Sequence, residues 1–490
     1  MRFFARRGRL GEVKFSRCKM KTSAHYLETR RQFLRKCSSG FGALSTAAII
    51  GCKNLTLEKE SLLRVGASKQ KLTSPICIPY LTSSMNGTNA PFHGTHDDLH
   101  VRALVVDDGR KAIALIAVDS IGYDNMVLGR GRNFTRELRQ KIAAHTKLKP
   151  EAIMLTATHA HSTPETIGLT PFRESKNGSA WLENHLEELA AITISAWKNR
   201  EPCRAFSGVK KVQGIARYRR IVLKNGKLSV HGALPSPENV AVPWALDEDL
   251  STLYFERVDG SPHAALLNYT AHPVVAMLLP NVCADFPGVA TAAVEENLKG
   301  SVCLFTNGAA GNINSVHVST NYGDVETLGK KLSHAAIEKI QKLKTLEALK
   351  STAVDFQSSE TVLTARDCPS LQEVEENLAL DSSAKNRALH RLKEKLNESP
   401  LNAELQMMSI GDVKWISLPG EPFVETGFAL KKSGASFVVG YANGWLGYFP
   451  IGRAYAEGGY EAMAGAWSRV APGSAEILET EGKRLLRRRD

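Results

Sequence analysis

The chain has 490 residues, enough to bury a sizeable core, and its composition is that of an ordinary globular protein. Its formal net charge is +13, yet residues 1–36 hold twelve Lys/Arg against only Glu12 and Glu28. Ten of the thirteen charges therefore sit at one end, and a second basic cluster, Lys483 to Arg489, closes the chain. The body is near neutral, with no long basic patch interleaved with aromatics, which argues against a nucleic-acid partner.

None of the eight cysteines forms C-x-x-C, which argues against a zinc ribbon or a thioredoxin-like pair. Cys283 and Cys303 lie in apolar surroundings and read as buried thiols. Near the start, Thr29-Arg30-Arg31-Gln32-Phe33-Leu34 resembles a twin-arginine export signal. The apolar stretch Phe41 to Ile50 follows, too short to span a bilayer. Ile49-Ile50-Gly51-Cys52 then resembles a lipobox, whose cysteine is lipidated and becomes the mature N-terminus. Residues 1–52 are thus expected to be an address, with Met20 as the start. Membrane contact would run through the lipidated Cys52, and residues 53–62 would form a polar tether.

The globular part begins at Leu63. Arg102 to Val106 and Lys111 to Val118 read as strands joined by the turn Asp107-Asp108-Gly109. A helix is predicted over 134–146. The apolar run Ala152 to Leu155 is a buried strand that opens into Thr158-His159-Ala160-His161-Ser162-Thr163-Pro164. On an extended backbone His159 and His161 share a face. Such a pair suits a metal plus a proton-transfer partner; the plainer alternative is a hydrogen-bonded pair at a loop mouth.

Leu182, Leu186, Leu189, Thr193 and Trp197 mark one face of a long helix. Two strands flank Asp259-Gly260, and Asn268-Tyr269-Thr270-Ala271-His272-Pro273 follows the second. The strand Ser301 to Phe305 opens into Thr306-Asn307-Gly308-Ala309-Ala310-Gly311-Asn312. Val325 to Leu343 has helical spacing. Residues 370–398 are charged and helical and look like a peripheral insertion. Two strands surround Gly411-Asp412, then come Pro419-Gly420-Glu421-Pro422 and the strand Phe437 to Tyr441, which runs on to Tyr448. This alternation predicts an α/β fold with mixed sheets, hairpins and flanking helices in a single domain over 63–490. Polar clusters recur just after apolar strands, where α/β proteins place their sites. They are read as one site, whose imidazoles and carboxylate make an ordinary catalytic metal set.

The order and spacing of His96 to Ala103, Thr158 to Ser162, Asn268 to Pro273, Phe305 to Asn314, Leu418 to Glu421 and Tyr441 to Glu461 resemble the catalytic domain of the neutral/alkaline non-lysosomal ceramidases. The resemblance implies a zinc amidohydrolase acting on a lipid or other small molecule, and the export signal would carry the protein out of the cytoplasm. It implies a metal set of His159, His272, Glu421 and Tyr448, with His161 in catalysis and Arg219 and Tyr460 lining the site. It also implies two departures. Gly308 stands where the resemblance places a nucleophilic serine, and the family's C-terminal immunoglobulin-like domain has no counterpart after Tyr460. Without that serine, zinc-activated water is the expected nucleophile. His161 would move the proton, while Arg219, Tyr460, Asn307 and the backbone around Gly308 would hold the oxyanion. Thr306 and Ser315 are the other hydroxyls of the loop, and Gly308→Ser is the reverse test. Two alternatives stand beside amide cleavage: a zinc hydrolase for an ester or sugar-derived substrate, and a catalytically silent ligand-binding lipoprotein.

Overall fold

The computed structural model describes residues 62–72, 74–85, 90–169, 176–230, 234–381, 384–398 and 401–487. The twin-arginine motif, the lipobox at Cys52 and all of the tether except Leu62 lie outside the described residues.

Eight strands form the main sheet: β1 (Leu63–Leu72), β2 (Leu99–Asp107), β3 (Ala112–Val118), β4 (Ile153–Ala157), β5 (Glu201–Lys211), β6 (Asp249–Arg257), β7 (Pro262–Tyr269) and β8 (Val302–Asn307). Their order across the sheet is β8-β7-β6-β5-β1-β2-β3-β4. The pairs β3–β4 and β7–β8 are parallel, and the other neighbours are antiparallel. A second sheet runs β9 (Val354–Leu363), β10 (Leu401–Ile410), β11 (Val413–Ser417) and β12 (Phe437–Val439), with β11 and β12 parallel. The predicted hairpin turns are present, with Gly109 and Gly260 at φ 87° and 85°. That left-handed region is open to glycine without strain.

The strands read as unbroken apolar runs because both of their faces are covered. Along β2, Val101, Ala103 and Val105 share a core with helices α1 (Phe134–Ala143) and α2 (Lys176–Lys198) through Leu138, Ile142, Leu182 and Leu186. Leu104 and Val106, one step out of phase, share another core with Met408, Trp415 and Phe437 of the second sheet. Farther along, Tyr254, Leu267 and Phe305 pack with α3 (Asp285–Asn297) and α4 (Tyr322–Leu343). Residues 370–398 are helical, as expected, with α5 (Leu371–Leu380) and α6 (Ala384–Glu398), the first opened by a Ser370/Glu373 capping box. Leu405, Met407 and Ile416 on the outer side of the second sheet meet Leu430 of α7 (Val424–Lys432) and Leu478 and Leu485 of α8 (Ser474–Arg487). The layers are therefore helix, sheet, sheet, helix.

The loops that follow the parallel strands meet at one place. At the end of β8 the Asn307 amide donates to Thr158 O (3.2 Å) just past β4 and to Ala271 O (2.9 Å) just past β7. Asn268 Nδ2 donates to Val438 O of β12 (2.9 Å) and to Thr306 Oγ1 of β8 (3.0 Å). Asn443 Oδ1, past β12, accepts from Leu155 N of β4 (3.0 Å). Buried side-chain amides thus stitch together strand ends that come from opposite edges of the main sheet. Five described cysteines, Cys77, Cys203, Cys283, Cys303 and Cys368, are free thiols, as expected for Cys283 and Cys303. Among the described residues no helix is long and apolar enough to cross a membrane.

Candidate active site

The chain leaves β4 at Ala157 and turns sharply, since His159 has φ 69°. The expectation of an extended backbone through His159 and His161 is therefore corrected. A left-handed residue, held by His159 N donating to Ser120 O (2.8 Å), brings the two rings together. Their centroids lie 4.7 Å apart, edge to face, with the Nε2 atoms 3.1 Å apart. His272 enters from the loop after β7, its ring 4.6 Å from that of His159. One nitrogen from each of His159, His161 and His272 lies within 4.8 Å of the other two.

Glu421 comes from the short segment Glu421–Pro422, which pairs in parallel with Tyr448–Phe449 and sets Glu421 beside Tyr448. Its Oε2 lies 3.0 Å from His272 Nε2 and 3.4 Å from His159 Nε2. Trp445 Nε1 donates to its other oxygen (3.2 Å).

The tautomers follow from the partners. His159 Nδ1 faces Ile121 O (2.5 Å), and His272 Nδ1 faces Ala310 O (2.7 Å) and Ile313 O (3.1 Å). A carbonyl only accepts, so Nδ1 carries the proton in both rings and Nε2 offers a lone pair. Burial and then Arg219 push His272 down to about 3, keeping it neutral. Burial works against the Glu421 carboxylate, and Trp445 Nε1 is the donor that faces it. Two lone pairs and a carboxylate oxygen converge at these spacings, an arrangement that a cation between them stabilises. Each donor is also oriented by a second partner, as metal ligands are. These residues fit a divalent metal.

His161 differs. Its Nδ1 is buried with no hydrogen-bond partner among the described residues, and burial followed by His159 and His272 pushes its pKa well below the ordinary value. A ring with no outer partner to orient it is the poorest ligand of the three and the one left to face a water or substrate.

The cluster forms part of the wall of a cavity of about 530 Å³, whose lining is mostly apolar and includes Leu81, Ile121, Ile167, Leu169, Val274 and Met277. Arg219, Asn314, Tyr448 and Tyr460 line the same cavity. The strand pairing of Ala216–Tyr218 with Ile313–Ser315 delivers Arg219, whose guanidinium bonds Glu461 Oε1 (3.1 Å), Asn314 Oδ1 (2.9 Å) and Gly311 O (2.5 Å). Arg220, next in sequence, is turned away into Glu461 and Gly458. The Tyr448 and Tyr460 rings meet edge to face at 5.7 Å. Burial and then Glu421 raise Tyr448 well above the ordinary phenol value, so it is a neutral hydroxyl.

Compared with solved structures, the chain is similar to the neutral ceramidase from Pseudomonas aeruginosa, with TM-score 0.67 and 18% identity over 87% of this chain and 74% of that one. It is similar also to a ceramidase complexed with C2, with TM-score 0.65 and 16% identity over 87% of this chain and 75% of that one. The fold resembles that of a bacterial neutral ceramidase. No known family and no curated protein matches the sequence.

The ceramidase-like fold positions the loop after β8 differently from the sequence reading. Asn307 does not reach the cavity, because its amide is spent on Thr158 O and Ala271 O while its oxygen accepts from Ala271 N (3.2 Å). It positions the loops that carry His159 and His272. Gly308 N donates to Tyr269 O (3.1 Å) and is not free for an oxyanion. A Cβ at 308 would lie 2.0 Å from Thr270 Oγ1, so a side chain there meets Thr270. Thr306 Oγ1 is bonded to Leu267 O and Asn268, and Ser315 Oγ to His317 O. The oxyanion role expected of Asn307 and Gly308 is corrected accordingly. The member of this loop that lines the cavity is Asn314, which the sequence reading missed. It also missed Trp445, Tyr441 (stacked on His159 at 3.9 Å) and the buried Glu461 behind Arg219.

Gly308→Ser is accordingly expected to lower stability by about 1–3 kcal/mol through overpacking. It should form no acyl-enzyme with an activated acyl substrate. Thermal unfolding and intact-mass spectrometry check this, and an acylated Ser at 308 would overturn it.

Proposed function

We propose that this protein is a zinc-dependent hydrolase that cleaves the amide of an N-acyl lipid or a related compound. The observation that carries this reading is a single cavity in which a buried cluster of imidazoles and a carboxylate adjoins an apolar lining. The ceramidase-like fold supports it. His159, His272 and Glu421 would hold the zinc, with Tyr448 beside Glu421. A bound zinc supplies a Lewis acid and lowers the pKa of a water from 15.7 to roughly 7. The chain's own groups do the rest. The apolar walls hold the acyl chain and exclude water. His161 takes a proton from the attacking water and returns it to the leaving amine. Arg219, fixed by Glu461 and Asn314, and the neutral hydroxyl of Tyr460 face the developing negative charge.

An apolar lining favours an acyl chain over a sugar. A screen of long-chain N-acyl amides, the matching esters and glycosides, run beside metal analysis, tests the reading. Release of fatty acid from an amide is the expected outcome. Retained metal with no turnover on any amide or ester would reject it in favour of a silent binder.

The cellular address rests on the sequence. Arg30→Lys with Arg31→Lys should leave precursor in the cytoplasm, and Cys52→Ala should release mature protein from membranes. Mature protein that is soluble and cut elsewhere would reject the lipobox.

A further inference from the structure

A second group of metal-ligating side chains lies outside the catalytic cluster. Gly94–Thr95 and Asn281–Val282 pair as a two-stranded parallel ribbon, and the residue after each strand carries chemistry. His96 N donates to Val282 O (2.8 Å), which sets His96 and Asp97 against Cys283. Asp97 Oδ2 lies 2.8 Å from His96 Nδ1 and 3.0 Å from Cys283 Sγ, and the three donor atoms all fall within 4.8 Å of one another.

Each donor is oriented by a partner of its own. Asp97 Oδ1 accepts from Ala284 N (2.5 Å), leaving Oδ2 to the cluster. Asp285 N donates to Cys283 Sγ (3.3 Å), while burial and then Asp97 push the thiol well above its ordinary value, so without a cation it keeps its proton and donates to Asp97. The His96 ring stacks on Tyr322 with centroids 3.8 Å apart. Asp285 itself holds a left-handed φ of 54°, a conformation rare outside glycine, fixed by its carboxylate on Ala276 N and Phe286 N. Cys283 is fully buried, whereas the His96 and Asp97 side chains are 29% and 30% exposed, so an ion can enter from solvent.

We propose that His96, Asp97 and Cys283 form a second, structural site for a borderline-soft divalent cation of the zinc type. A thiolate, an imidazole and a carboxylate are a donor set that zinc takes, with water as the fourth ligand. Ligand distances of roughly 2.0–2.3 Å place tetrahedral donors about 3.3–3.7 Å apart. The two short contacts to Asp97 therefore open by less than about 1 Å on binding, with the cation replacing the thiol proton. Cys283 N donates to Ser162 O (2.9 Å), next to His161, so the cation would clip the ribbon to the loop that carries the catalytic imidazoles.

The test is made on the full chain, zinc-loaded and then cobalt-exchanged. The catalytic cluster contains no sulfur, so a near-ultraviolet thiolate-to-cobalt charge-transfer band that depends on Cys283 reports this second site. Wild type is expected to show the band and to hold one zinc more than His96→Gln or Cys283→Ser. The band should vanish in Cys283→Ser and persist in the His159→Ala, His272→Ala double variant, which isolates it from the fate of the proposed hydrolase. His96 is exposed, so His96→Gln still decides the zinc count if Cys283→Ser does not fold. A cobalt-loaded wild type without the band, or equal zinc in wild type and His96→Gln, would overturn the site.

Discussion

Alanine at His159 or at His272 is expected to strip most of the catalytic metal from the purified protein. Each ring contributes a lone pair whose direction is set by a carbonyl on its far side. Loss of an outer partner alone costs roughly 10–100-fold in metal affinity, and loss of the donor itself should exceed that. His159→Ala also empties the space against Tyr441, on which the ring stacks. Glu421→Ala should act similarly. Tyr448→Phe should cost least, because a neutral phenol is a weaker donor than imidazole or carboxylate. Metal content by mass spectrometry, counted against the second site, checks the order. Stoichiometric catalytic metal in both histidine variants would sink the assignment, and Tyr448→Phe as the most damaging change would reverse the ranking.

His161→Ala is expected to behave differently, keeping the metal while turnover falls about 10²–10⁴-fold, the usual contribution of general acid–base catalysis. The distinction rests on Nδ1, which lacks the carbonyl that pins the other two rings. Turnover and metal content must be read on the same sample. A metal-free His161→Ala protein would move His161 into the ligand set and remove it as the proton carrier. Thr306→Val serves as the companion. Its hydroxyl is committed to Leu267 O and Asn268 inside the core, so activity should stay within roughly tenfold, or about 1.4 kcal/mol of barrier. Abolished activity in Thr306→Val, with fold and metal intact, would revive a hydroxyl nucleophile.

The strands were readable as apolar runs because burial on both faces removes the need for a polar alternate residue. Helices α2 and α4 were readable from one-sided spacing. The partnership of the two sheets was not, since pairing between Thr156 and Ala442 or between Asn268 and Val438 joins residues far apart in the chain. Within the site, His159, His161, His272 and Glu421 stood out because unusual side chains followed apolar strands. The loop after β8 was read from its place in the family pattern, which does not report where the chain turns. The chain bends there, and Gly311 lets it come close to the Glu421 backbone, where a Cβ would lie 2.4 Å from Glu421 O. That bend brings Asn314 to the cavity and takes 308 away from it. Trp445 and Glu461 lay inside a matched stretch but were given no role, since each gains its meaning from a partner brought in by folding.

The three outer-pinned donors, His159, His272 and Glu421, are spread over more than half the chain. At synthesis rates of about 5–20 residues per second, roughly 13–52 seconds separate the emergence of the first from that of the last. No nascent fragment that stops short of Glu421 can assemble the set, and the contacts that orient it, such as Asn307 to Thr158, are themselves long-range and slow to close. A cation held by this set would join the chain only after Glu421 has been made, so it could not nucleate the earlier strands during synthesis.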